Sequence, residues 1–189
     1  EVGDFLLKRM AELGGDSVEC IVAFGGNAGY PHYTGNSAVC REHEIVLMDY
    51  GCTIRGMYSD TTRTVFVGEP TEREREIYEL VKKSNMEAEA MVCEGAYGPD
   101  IDKKSREVLG EYAPTLINRL GHGIGYTIHE APDMKQSNPI YLQRGMAFSI
   151  EPGIYFGGDI GVRIEDIVMI NENGEREVLN KTTKEIVVL

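Results

Sequence analysis

Val2, Phe5, Leu6, Met10 and Leu13 recur at the spacing of one helix face, and Gly14-Gly15 stops the pattern, so the chain is predicted to open with an amphipathic helix. Glu1 enters that helix already under way, and an upstream part of the same element is expected. Short apolar runs follow at 19–24, 44–50 and 62–67, each bounded by glycine or polar turn residues, and read as strands of one antiparallel sheet. Thr71, with Glu74 three residues on, forms a capping-box signature for a long charged helix over 72–93, which Gly95 and Gly98 end. A second helix is predicted over 99–112, with Pro99 at the tolerated first position. Strand patterns then return at 145–150, 161–170 and 185–189. Sheet, helices, sheet is the order of an α+β domain rather than of a regular alternation around a parallel sheet.

Composition narrows the class without naming the chemistry. With 189 residues, 42% hydrophobic and 26% charged, the chain has the make-up of a globular protein, and one domain over 1–189 is expected. No apolar run approaches the roughly 20 residues that cross a bilayer, and residues 1–9 lack a signal-peptide pattern, so a cytoplasmic protein without a membrane partner is expected. Cys20, Cys40, Cys52 and Cys93 contain no CxxC pair and are expected to be reduced. A net charge of -12 with no basic patch argues against nucleic acid as a partner. The acidic excess reads as solvated surface unless some carboxylates gather around a cation, and only their positions can decide that.

Asp49 ends one apolar run and Asp60 begins the next, both beside glycine-bearing turns, so a hairpin would bring the two carboxylates together. Taken singly, each is equally well explained as a turn aspartate. His122 stands in Gly121-His122-Gly123-Ile124-Gly125, where the glycines let the backbone approach a bound group and leave the imidazole unobstructed. A dinucleotide fingerprint does not fit there, because the third glycine follows too soon and no clean strand-to-helix context is evident. Glu151 follows Met146-Ala147-Phe148-Ser149-Ile150 and precedes Pro152-Gly153, where a buried strand breaks, while Glu165 lies inside the strand pattern 161–168. A core-facing acid is costly unless paired or metal-bound, and an ion pair of either glutamate with Arg163 is the plain alternative. Together, four carboxylates and one imidazole make a mostly oxygen donor set that suits two hard or borderline divalent ions. Carboxylates can bridge such a pair of ions while a water between them loses a proton near neutral pH, which is the chemistry of metal-assisted hydrolysis.

The motifs around these residues resemble those of the creatinase/prolidase/methionine aminopeptidase superfamily, the pita-bread metallopeptidases, from about residue 21 to 165. The resemblance runs through Met48-Asp49-Tyr50-Gly51, Ser59-Asp60-Thr61-Thr62-Arg63-Thr64, His122, Ser149-Ile150-Glu151-Pro152-Gly153 and Val162-Arg163-Ile164-Glu165-Asp166. It implies an α+β pita-bread fold, an antiparallel curved sheet with helices outside, and Asp49, Asp60, His122, Glu151 and Glu165 as metal ligands, Asp60 and Glu165 bridging. It further implies His32, in Pro31-His32-Tyr33, and His129, in His129-Glu130 at the family's interval from His122, as catalytic groups that contact substrate. His43 is left to the surface. Glu151 is implied as the relay that carries a proton to the leaving imino nitrogen, and Arg163 as the group that orders Glu165 and its neighbours beside the substrate.

The implied activity is cleavage before proline, as an Xaa-Pro dipeptidase or Xaa-Pro aminopeptidase, in short peptides with proline in second place. Two divalent ions are implied as cofactors, manganese or cobalt first and iron or zinc after them. The contexts Ser149-Ile150-Glu151-Pro152-Gly153-Ile154-Tyr155 and Arg163-Ile164-Glu165-Asp166 favour the proline peptidases over methionine aminopeptidase. A non-catalytic peptide- or histone-binding module on the same fold is the alternative from a different class. Asn118 stands where many relatives carry a histidine, and relatives have a longer first helix and often a preceding domain, so a catalytic domain cut short at its N-terminus is expected, with a homodimer as its assembly.

Overall fold

A computed structural model describes residues 1–117 and 119–189, and the departure noted at Asn118 lies outside the described residues. The first apolar stripe forms α1 (Val2–Glu12), laid against β1 (Asp16–Phe24). Strand β2 (Glu44–Ile54) takes β1 on one edge and β4 (Thr61–Val67) on the other, with the short β3 (Met57–Tyr58) pairing its far end, and the sheet is antiparallel throughout. Asp49 therefore does not end a strand as its sequence suggests. It sits in mid-β2, opposite Ile21 on β1 and Thr62 on β4, because the turn polarity of Tyr50 to Cys52 is absorbed by continued pairing.

Helix α2 (Glu72–Ala90) begins with the predicted capping box: the Glu74 amide donates to Thr71 Oγ1 and the Thr71 amide to Glu74 Oε2. It ends at Ala90 and not at residue 93, since the Met91 and Val92 amides turn back to the Ala88 and Glu89 carbonyls and Cys93 leaves to bridge Glu175. Helix α3 (Gly98–Leu109) likewise stops short of residue 112. Gly110, at φ +57°, breaks it, and Tyr112 falls in a 3₁₀ turn over Gly110–Thr115 that contains Pro114.

The last third builds a second antiparallel sheet from β5 (Gly121–Gly123), β6 (Glu130–Met134), β7 (Ala147–Ile150), β10 (Asp166–Ile170) and β11 (Arg176–Val178), in the order β11-β10-β7-β5-β6. Between its members runs a separate hairpin of β8 (Gly153–Phe156) and β9 (Ile160–Arg163). The strand expected over 161–170 is thus two strands with different partners. Gly153 pairs Arg163 in one ladder and Ile150 pairs Asp166 in the other, which leaves Glu151 and Glu165 in the two breaks between ladders. The expected strand at 185–189 is not formed: this segment makes a single parallel bridge, Phe66 with Val188, and runs on irregularly beside β4.

Two apolar clusters result. Leu47, Phe66, Ile77, Tyr78, Val81, Ile154 and Val162 join the first sheet, α2 and the hairpin, whereas Ala88, Ile101, Leu120, Phe148, Ile150 and Val168 join α2, α3 and the second sheet. Fully burying one such large side chain stabilises by about 1.5–3 kcal/mol. Helix α2 serves both clusters with one face, and where they meet that face is polar, Ser84 and Asn85, both wholly buried.

Candidate metal centre

Close backbone approaches at two glycines bring the candidate residues together. At Gly51 an added Cβ would lie 2.2 Å from the Ser59 carbonyl oxygen, so only glycine lets the turn before β4 fold over β2 and set Asp60 beside Asp49. At Gly121 a Cβ would lie 1.8 Å from the Ser149 carbonyl oxygen, so only glycine lets β5 lie against β7 with His122 next to Glu151. All eight candidate residues line one cavity of about 710 Å³.

His122 is buried, and its Nδ1 lies 3.1 Å from the Gly123 carbonyl oxygen, which can only accept. Burial lowers the His122 pKa, so the ring is neutral, its proton is on Nδ1, and the lone pair of Nε2 faces outward. What it faces is two more acceptors, Glu151 Oε1 at 3.3 Å and Asp60 Oδ2 at 3.6 Å. Ser149 fixes this side of the site, accepting from the His122 amide at 3.0 Å and donating to Glu151 Oε1 at 2.9 Å.

Opposite them, Glu165 Oε2 accepts from Thr62 Oγ1 at 2.7 Å, while Oε1 is buried with no hydrogen-bond partner. One donor atom each from Asp60, His122 and Glu165 lies within 4.8 Å of the others. Burial, and then the negative charges of Asp49 and Glu151, push the Asp60 carboxyl up to about 8. Glu165 is raised by burial and by Asp60, Glu151 and Asp49, and Glu151 by burial against the pull of Arg163. Four carboxylates crowd one low-dielectric part of the cavity, with a guanidinium hydrogen-bonded among them. A buried carboxylate oxygen without a donor and an imidazole lone pair aimed at carboxylates are both satisfied by divalent cations, so the donor set fits metal binding.

That guanidinium, Arg163, is buried and spans four partners: Asp49 Oδ2 at 2.6 Å, Thr62 Oγ1 at 2.9 Å, the Tyr155 hydroxyl at 3.0 Å and the Pro31 carbonyl at 3.2 Å. Its direct ion pair is with Asp49, and neither glutamate takes the place the sequence offered them. It reaches Glu165 only through the Thr62 hydroxyl, because Glu165 has left the β9 ladder before its side chain could meet Arg163. Through Pro31 it also holds the residue before His32, which stands exposed at the cavity wall. His129 packs edge-on against His122 with ring centroids 4.4 Å apart, and burial together with His122 lowers its pKa. His43 is exposed and does not line the cavity.

Sequence reasoning missed Thr62, Ser149 and Tyr155 as members of the site. The first two carried a signal, a hydroxyl inside an apolar strand run, and both are wholly buried. Tyr155 follows the break after Glu151 and gives no local sign of its contact with Arg163.

An α+β domain whose buried carboxylates and imidazole converge on one open cavity belongs to the class of proteins that bind divalent metal. The particular family follows from comparison with known proteins: the sequence model of metallopeptidase family M24 matches residues 1–172, and the chain belongs to that family. A curated Xaa-Pro dipeptidase of Lactobacillus helveticus is 39% identical over 173 residues, covering 90% of this chain and 47% of that protein. The solved prolidase of Thermococcus sibiricus superposes with a TM-score of 0.96 at 36% identity, over 100% of this chain and 53% of its own. An X-Pro aminopeptidase from Thermotoga maritima superposes with a TM-score of 0.94 at 31% identity, over 100% and 54%. The expected pita-bread architecture is therefore the fold, and this chain spans about half the length of the curated relatives it matches. Among the described residues no helix is long and apolar enough to cross a membrane.

Proposed function

We propose that this chain is the catalytic domain of an Xaa-Pro peptidase that hydrolyses the bond before proline in short peptides, with two divalent ions held by Asp49, Asp60, His122, Glu151 and Glu165. The observation that carries the reading is the convergence of His122 Nε2 with Glu151 Oε1 at 3.3 Å and Asp60 Oδ2 at 3.6 Å, with a Glu165 carboxylate oxygen within 4.8 Å, in one open cavity. Bound divalent ions supply the positive charge that brings the pKa of a water near neutrality and polarises the scissile carbonyl. The oxygen-rich donor set supports manganese or cobalt ahead of iron or zinc.

The chain's own residues account for the rest of the reaction. Glu151, held through Oε1 by Ser149, faces the cavity and carries a proton from the attacking water to the imino nitrogen that leaves. His129, kept neutral by its lowered pKa, and His32 donate hydrogen bonds to the substrate carbonyl as negative charge develops on it. Arg163 keeps Asp49 in place and ties it to the His32 loop. Ile21, Leu116, Ile117 and Ile128 give the cavity an apolar wall that suits an aliphatic first residue and the proline ring. A cytoplasmic location goes with this reading, supported by four cysteines that are all free.

The test is amino-acid release from Xaa-Pro dipeptides and Xaa-Pro-Yaa tripeptides by metal-stripped protein, before and after manganese or cobalt is added, with Asp60→Ala as control. Metal-dependent cleavage that the variant lacks is expected, and the preferred length assigns dipeptidase or aminopeptidase. Protein that holds two metals yet cleaves neither length would overturn catalysis by this chain and favour a peptide-binding role.

A further inference from the structure

Glu151 and Glu165 stand where two ladders separate. Asn85 donates to the buried backbone carbonyl before each of them. This α2 residue is wholly buried, and its Nδ2 donates to the carbonyl of Ile150, the residue before Glu151, at 2.8 Å and to that of Ile164, the residue before Glu165, at 3.4 Å. Two carbonyls can only accept, so the amide orientation is fixed by its partners, and Oδ1 is left to accept from Lys184 Nζ at 2.5 Å. Lys184 is held in turn: its ammonium donates to Glu89 Oε1 at 2.7 Å and lies 2.7 Å from Asp166 Oδ2 as an ion pair.

Asparagine is a poor residue for a helix interior and a costly one to bury, which makes its place between the two apolar clusters a requirement of something other than helix formation. Among the described residues Asn85 is the α2 side chain that hydrogen-bonds both carbonyls, and neither Asn85 nor Lys184 lines the cavity. We infer that Asn85, oriented by Lys184, is a positioning residue that sets the separation of Glu151 and Glu165 by holding the backbone before each of them from one nitrogen. The inference rests on the metallopeptidase reading above, since the spacing matters because both carboxylates are to hold the same ions. Outer groups that orient ligands in this way typically change metal affinity by about 10–100-fold when removed.

Asn85→Asp is the variant to make, because it keeps the shape and the acceptor for Lys184 but has no N–H for either carbonyl. Metal-stripped full chain is titrated with Co(II), followed by calorimetry and by visible absorption, which reports ligand geometry independently of turnover. The expected result is two equivalents bound by the unaltered chain, and in Asn85→Asp an affinity about 10–100-fold weaker with a changed absorption band, at unchanged circular dichroism. Unaltered affinity and spectrum in Asn85→Asp would overturn the inference alone, whatever its effect on stability. Failure of the unaltered chain to bind Co(II) would overturn the metallopeptidase reading and the inference with it. Should Asn85→Asp not fold, Asn85→Leu, uncharged and of similar size, gives the same two readings.

Discussion

Removing the metal should leave a protein that loses stability as pH rises through neutrality, opposite in sign to the usual effect of paired carboxylates. Asp60 holds its proton to about pH 8 in the folded chain, under the combined effect of burial and the charges of Asp49 and Glu151, while the unfolded chain releases it near the ordinary value. Between those limits the native state binds the extra proton, so the stabilisation is complete below the unfolded value and is lost as pH climbs through 8. Glu151 and Glu165, raised in the same direction, add to the slope. Other groups titrate between about pH 6.5 and 8, so the comparison with a variant isolates these carboxylates: the unfolded imidazoles of His122 and His129, whose folded values are lowered, shed their protons near 6.5 and act with the opposite sign, while Glu89, raised by burial, acts with the same sign.

Across that window each carboxylate that keeps its proton contributes up to about 2 kcal/mol of lost stability. Urea denaturation of chelator-treated protein at several pH values measures it, with Asp60→Asn, which has no proton to lose, as the comparison. The variant should show a shallower fall. Saturating manganese should flatten the profile, because ions bound only by the folded chain stabilise it by about 2.7 kcal/mol at a hundred times Kd. Stability that is flat or rises from pH 6.5 to 8 in metal-free protein, or an equal slope in Asp60→Asn, would refute the argument that these carboxylates are held together against their own repulsion.

Arg163→Lys keeps the charge but cannot span Asp49, Thr62, Tyr155 and the Pro31 carbonyl from one plane, so manganese affinity should fall about 10–100-fold by calorimetry, with hydrolysis reduced at least in proportion. Phe148→Ala empties a wholly buried position behind the site and should cost about 3–5 kcal/mol in urea denaturation; a loss below about 1 kcal/mol would mean that the second apolar cluster closes over the cavity.

What the sequence disclosed is what local chemistry decides. The Thr71 capping box needs only residues three apart, and it formed as expected. Glu151 was legible as an acid at the break of a buried strand for the same reason, and all eight residues proposed for the site from the motifs line the same cavity. Strand limits were less legible because they depend on partners distant in the chain. The apolar pattern over 161–170 gives no hint that residues up to Arg163 pair with β8 and those from Asp166 with β7, and the break at Glu165 is a property of that exchange. Residues 185–189 have the composition of a strand but find only one bridging partner.

Partner choice was the hardest thing to read. Arg163 is two residues from Glu165 and 114 from Asp49, so sequence proximity favours the glutamate, yet β9 ends at Arg163, Glu165 lies beyond the ladder, and the guanidinium pairs with Asp49 on β2. Asn85, in a helix otherwise rich in exposed charge, gave no reason to be placed at the centre of the protein. Both cases follow from one geometric fact. Glu151 and Glu165 are carried by backbone that has stepped out of its ladders, which aims their carboxylates into the cavity but strips that backbone of ladder support. The support is replaced from outside the sheet, by Asn85 from α2 and by Arg63, whose guanidinium donates to the Glu165 carbonyl at 2.6 Å and pairs with Asp166 at 2.6 Å. Arg63 stands inside the motif around Asp60 and is marked by it, whereas Asn85 lies on an element that carries none of the candidate ligands, where neither motif nor periodicity marks it.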